Sequence, residues 1–273
     1  MSRLSFNEMT SFRWNFEEDI SQAAALGYTA IGLCRQKLGD FGVQEGMALL
    51  AAMGLRVSNV CWAGGFTGSD GRNLIESIAD ATEAIRLTAA LRAGCLVVYS
   101  GARGGHTTSH ARRLFREAID RLLPSAEDFG VTLGIKAVHT ECAIDCGLLT
   151  SLAEASEFVR SFDHPRVKLA FDTYHLGWDQ DVPLRLAEAA SDIAIVHLSD
   201  GLPPSRGETH CCRLGEGDVP LRAILAALEH GGYEGDYDVK LVGAELDSGD
   251  YRDLMTHSQS AMAELLPSVA YRG

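Results

Sequence analysis

The chain has 273 residues, 46% hydrophobic and 22% charged, the composition of an ordinary globular protein. Its formal net charge of -13 argues against a nucleic-acid partner, which needs a basic face. No stretch approaches the roughly 20 apolar residues of a membrane span, so no membrane partner is expected.

Apolar periodicity alternates between the strand period and the helix period from end to end. Leu4 to Asn7 reads as a first strand, followed by a helix from Glu17 to Leu26 that Gly27 closes. A second strand, Thr29 to Cys34, leads to a helix from Val43 to Met53 closed by Gly54. The third strand is Leu55 to Trp62, with a helix from Asn73 to Ala93; the fourth is Cys95 to Ser100, with a helix from Ser109 to Phe129. The last four strands are Val131 to Ile135, Val167 to Phe171, Ile193 to Val196 and Tyr237 to Val239. Their helices fall at about Leu148 to Ser161, Leu184 to Ala190, Leu221 to Gly231 and Tyr251 to Leu266. Seven scattered cysteines, some inside these apolar runs, point to free thiols in a reducing cytoplasm. The amino terminus reads as a strand rather than a signal peptide.

Short, nearly continuous apolar strands are buried on both faces, which makes the sheet parallel. Eight strand–helix units without a linker predict an α/β fold: one (β/α)8 TIM-barrel domain spanning residues 1–273. An open doubly wound sheet is the rival, but no Gly-x-Gly-x-x-Gly follows the first strand. The longest irregular stretch, Ser199 to Val219, reads as a binding loop.

Four polar residues end the last four strands: Lys136, Asp172, His197 and Lys240. Side chains at such positions converge at the carboxyl end of a parallel barrel, where catalytic groups gather. His175 follows Asp172 by three residues, placing an imidazole within reach of a substrate oxygen. The plainer reading is that Asp172 caps the next element and His175 packs in the rim. Arg213 is suited to clamping a carboxylate, a phosphate or hydroxyls. Trp62 is a candidate pocket wall, Arg103 a contact for an anionic substrate, and Glu141 a base on the strand-five loop. Core packing or solvated loop charge is the alternative for each. The scattered His139, Cys142, Cys146, His210, Cys211 and Cys212 match no closed zinc module.

Three segments together, Phe171-Asp-Thr-Tyr-His175, Val196-His-Leu-Ser-Asp200 and Leu214-Gly-Glu-Gly-Asp-Val-Pro220, resemble the xylose isomerase-like sugar phosphate isomerase/epimerase superfamily. The resemblance implies a TIM barrel that binds a divalent metal (Mn, Mg, Co or Zn) through Glu, Asp, His and Glu on strands five to eight. It implies Asp172 and His197 as metal ligands and His175 as a substrate contact. Lys136 and Lys240 stand where the resemblance places the two glutamates.

Ammonium groups donate hydrogen bonds and repel a cation, so no tightly bound cofactor is expected. One lysine then takes the metal's place beside Asp172. A second, sharing a dry pocket with it, is pushed down in pKa and becomes a base or Schiff-base former. The resulting expectation is an isomerase or epimerase acting on a small sugar-like carbonyl compound by proton transfer next to the carbonyl. A lyase or dehydratase acting on a keto-sugar or keto-cyclitol is the alternative. A non-catalytic sugar-binding protein, or an inactivated variant of a metal-dependent parent, is the third. A homo-oligomer is compatible with the sequence but not specified by it.

Overall fold

A computed structural model of the chain describes residues 3–143, 147–205 and 208–266. Its strands are β1 (Leu4–Asn7), β2 (Ala30–Cys34), β3 (Arg56–Ala63), β4 (Leu96–Val98) and β5 (Leu133–Lys136). They continue with β6 (Val167–Asp172), β7 (Ile193–Leu198), β8 (Asp200–Ser205), β9 (Glu208–Cys212) and β10 (Tyr237–Val239). Eight of them pair in parallel and close in the order β1-β10-β7-β6-β5-β4-β3-β2, with helices between successive strands. β8 and β9 form a separate antiparallel hairpin inserted after β7.

Local chemistry sets where the helices begin and end. Asn73 accepts from the backbone of Glu76 while Glu76 reaches back to the amide of Asn73, a capping box that starts the helix Leu74–Ala90. Ser151 caps the helix Leu152–Arg160 through the amide of Glu154, which is why that helix starts later than its apolar pattern suggests. Gly54 closes the helix Val43–Met53 at φ 69°, a left-handed turn natural to glycine.

Several short elements escape the periodicity, among them the helices Thr173–Leu176 and Ala244–Asp247. The helix Arg35–Phe41 follows β2 directly, and the Ser199–Val219 stretch contains the β8–β9 hairpin. Pro203 and Pro204 lie within β8, in a ladder whose register shifts between Leu202 and Ser205. Prolines and an irregular ladder erase the alternation that identifies a strand.

The main core lies between the barrel and its helices, built from residues such as Phe6, Leu33, Phe66 and Phe115. Inside the barrel, Cys61, Cys95, Val97, Ala170 and Ile195 make a small apolar cluster. Ser5, Asn7, Ser58, Asn59 and Asp238 are also fully buried, an unusual concentration of polar groups that needs internal partners. Register places Asp172 beside His197, and His197 beside Asp238 on the next strand. Residues paired across a parallel ladder share a level, so these three strands deliver their side chains together.

Candidate functional site

Lys136 and Asp172 end β5 and β6, His197 is the next-to-last residue of β7, and Lys240 follows β10 by one residue. The structure brings all four together. Lys136 Nζ donates to Asp172 Oδ2 and, at 2.9 Å, to His197 Nδ1. Lys240 Nζ lies 3.9 Å from the same Asp172 oxygen. Lys136, Asp172 and His197 are fully buried. The Lys240 side chain keeps 11% exposure and is the member that reaches solvent.

Asp172 divides its two oxygens. Oδ1 accepts the backbone amides of Tyr174 at 3.0 Å and His175 at 3.3 Å, capping the turn Thr173–Leu176. Oδ2 faces both lysines. Cap and counter-ion are therefore both present in one residue.

Charge balance shapes the titrations. Burial alone would raise Asp172, but the two ammonium groups and nearby imidazoles hold it well below the carboxylate range. Burial pushes Lys136 down to about 8, with the Lys240 charge adding to the fall and Asp172 opposing it. Burial also works against the Lys240 charge, yet Tyr99 and Asp172 outweigh it and hold that lysine above its ordinary value. His197 is driven well below its usual range by burial and by the Lys136 and Lys240 charges. Burial takes His175 down to about 3. Both imidazoles are neutral at pH 7.

The roof over this quartet is interlocked with the strand ends. Thr173 Oγ1 donates to Ser199 O at 2.5 Å, and Ser199 Oγ donates to Lys240 O at 2.5 Å. His210 N, on β9, donates to the Tyr174 hydroxyl at 2.7 Å. Asp200 collects the amides of Gly201, Gly215, Gly217 and Val219. This explains the Leu214–Pro220 motif physically: a Cβ at Gly217 would lie 2.3 Å from Asp200 Oδ1. Glu216 in that motif is exposed, while Asp218 gives its amide to Gly201 O just ahead of the helix Leu221–His230.

The remaining candidates spread around the rim. His175 stands beside the quartet, its Nδ1 accepting from His139 N at 3.3 Å. Trp62 is 44% exposed and packs edge-on against Tyr99 at 5.6 Å. It lines a cavity of about 1060 Å³ with Glu8, Phe12, Arg35 and Cys61. Arg103 is exposed on its loop, and Glu141 is exposed in the short 3-10 helix Thr140–Cys142. Arg213 turns to Asp253 on the helix Tyr251–Leu265 and forms an ion pair there. Of the cysteine–histidine set, Cys146 lies outside the described residues.

Beneath the quartet lies a layer that the strand pattern had absorbed as filler. Asp238 Oδ2 accepts from Asn7 Nδ2 at 2.5 Å and Asn59 Nδ2 at 2.7 Å. The available signal was a polar residue inside a short buried strand, in Leu4–Asn7, Arg56–Ala63 and Tyr237–Val239 alike.

A second buried acid–lysine cluster occupies the ends of β1 and β2. Glu8 accepts from Cys34 N at 2.6 Å, and Asp19 from Lys37 Nζ at 2.6 Å and Ser11 Oγ at 2.5 Å. Lys37 spends its other donors on the carbonyls of Glu8 and Ser11. Burial and the Asp19 charge raise Glu8 well above its ordinary value. Burial lifts Asp19 to about 6 against the pull of Lys37.

Residues 20–252 match the xylose isomerase-like TIM barrel family. The chain belongs to that family. An L-ribulose 3-epimerase of Mesorhizobium japonicum is 28% identical over 130 residues, 47% of this chain and 40% of that protein. The match thus spans less than half of that relative's length. Protein SMc04130 of Sinorhizobium meliloti 1021 superposes with a TM-score of 0.90 at 28% identity, covering 96% of this chain and 98% of that one. The IOLI protein, solved with a bound zinc atom, superposes with a TM-score of 0.84 at 19% identity over 98% and 99% of the two chains.

The present quartet does not fit such a metal. Both lysines are donors, and Lys136 already takes the inward lone pairs of Asp172 and His197. Among the described residues, no group of three or more His, Cys, Asp or Glu side chains is placed to hold an ion.

Proposed function

We propose that the protein is a sugar epimerase or isomerase that moves a proton next to the carbonyl of a small polyhydroxylated substrate, with Lys136 and Lys240 standing in for the metal-binding glutamates of the family. One observation carries this reading: Lys136 Nζ sits between Asp172 and His197, bonded to both. A neutral amine has two N–H groups and one lone pair. In this setting both N–H groups are spent on Asp172 Oδ2 and His197 Nδ1, which leaves the lone pair free to take a substrate proton. The fall of Lys136 to about 8 keeps a useful fraction of that base form near neutrality.

Lys240 plays the complementary part. Its pKa is held up, so it stays an ammonium and stabilises the negative oxygen that develops as the carbon is deprotonated. Two titratable groups pushed apart by their surroundings form a natural base and electrophile pair. Lys240 is also the partly open member of the quartet, so substrate approaches from its side. His175 supplies a neutral imidazole as a substrate contact at the rim. The epimerase relative of Mesorhizobium japonicum supports the choice of a ketose substrate.

The test is solvent exchange. Purified protein is incubated in D2O with ketopentoses and ketohexoses, with and without chelator. The expected result is deuterium at the carbon next to the carbonyl, unaffected by chelator and lowered about 10²–10⁴-fold by Lys136→Met. Stoichiometric metal with chelator-sensitive exchange overturns the reading. Loss of water from the product, read by mass, assigns the chemistry to a lyase instead.

A further inference from the structure

We infer that Asp238 and Asn59 are positioning residues that fix the tautomer of His197, so that its Nδ1 always presents a lone pair to Lys136.

Asp238, on β10, is fully buried, and its Oδ2 receives two amide N–H groups. Those donors orient the two asparagines. Asn7 accepts from Met9 N at 3.0 Å through Oδ1, so its amino group must point inward to Asp238. Asn59 spends both amino hydrogens, one on Asp238 Oδ2 and one on Ser58 Oγ at 3.0 Å. Its Oδ1 is then left on the opposite side, 3.4 Å from His197 Nε2, where it also receives the Cys61 thiol at 3.2 Å.

An amide oxygen accepts and never donates, so His197 Nε2 carries the hydrogen. Asp238 Oδ2, 3.8 Å from the same nitrogen, favours a hydrogen there as well. A neutral imidazole has a single N–H, which leaves Nδ1 bare. Bare Nδ1 is what the Lys136 bond at 2.9 Å requires. The polarity thus runs from Asp238 through Asn59 and His197 to Lys136, across β10, β3, β7 and β5.

The scaffold makes room for this wiring. A Cβ at Gly32 on β2 would come within 2.4 Å of both Asn7 Nδ2 and Asp238 Oδ2. The opposite tautomer would turn an Nδ1–H toward the Lys136 donors and leave Nε2 facing nothing it can accept from. Lys136 would lose one of its two anchors, and the direction of its lone pair with it. The chemical purpose of the device rests on the proton-transfer reading above, but the tautomer is observable without substrate or turnover.

The experiment is a long-range ¹H–¹⁵N spectrum of the full chain labelled at histidine, with His197→Gln assigning the signal by difference. In the wild type, His197 is expected as the Nε2–H form alone. In Asp238→Leu and Asn59→Leu, a mixed or Nδ1–H pattern is expected while the other histidine signals stay in place. Asp238→Asn, which keeps the volume but permits either amide orientation, is expected to give a mixture as well. An Nδ1–H form in the wild type overturns the inference even if every variant fails to fold. Retention of the pure Nε2–H form in the folded variants also overturns it, since a merely structural Asp238 would leave the tautomer alone.

Discussion

Two buried acid–lysine clusters sit at the same end of the barrel, with opposite stoichiometry. At the ends of β5, β6, β7 and β10, one carboxylate faces two ammonium groups. At the ends of β1 and β2, two carboxylates accompany one ammonium. The titrations diverge accordingly: Asp172 is held far below its ordinary range, while Glu8 and Asp19 are both raised. Burial is common to both, so it is not what separates them. The local count of charges is, because each cluster moves toward a state with as few uncompensated charges as its members allow.

Asp172→Ala carries the heaviest penalty. It leaves two ammonium groups without their anion and is expected to cost about 3–5 kcal/mol in urea unfolding. Adding Lys136→Met and Lys240→Met should recover much of that loss. If Asp172→Ala costs no more than a surface substitution, charge balance does not govern the quartet.

Next in size is a pH effect of opposite sign in the two clusters. The raised pKa of Asp19 stabilises the fold below the unfolded carboxylate value near 4, and that stability is lost as pH rises through about 6. The depressed pKa of Asp172 stabilises the fold above the same unfolded value and is lost as pH falls through and below it. Asp19→Asn should therefore remove a decline on the order of 2 kcal/mol between pH 4 and 6, read from denaturation midpoints. An unchanged pH profile would refute the assignment.

Gly32→Ala tests the space between the clusters. Overpacking against Asn7 and Asp238 is expected to cost about 1–3 kcal/mol. Smallest is Asn73→Ala, remote from both clusters, which should cost about 1 kcal/mol through the lost cap.

Much of the barrel was legible in the sequence because each strand is a short apolar run and several helices end at glycine. β1, β10 and the helix Val43–Met53 fall where periodicity places them. The meeting of Lys136, Asp172, His197 and Lys240 was legible for a related reason: a polar residue at the carboxyl end of a buried barrel strand is carried to the barrel mouth. Three things were not. The β8–β9 hairpin is masked by Pro203 and Pro204. The Asp238–Asn59–Asn7 layer is hidden by being polar inside strands that still read as apolar overall. The turn of Arg213 toward Asp253 depends on a helix 40 residues downstream, which no local pattern reports.

Asp200 has a wider consequence. By gathering four amides from two separate segments, one carboxylate moors the hairpin at its base, close to β7. The outward Leu202 takes no part in that mooring. Leu202, 56% exposed, is therefore free to vary while the lysine-bearing floor stays where it is.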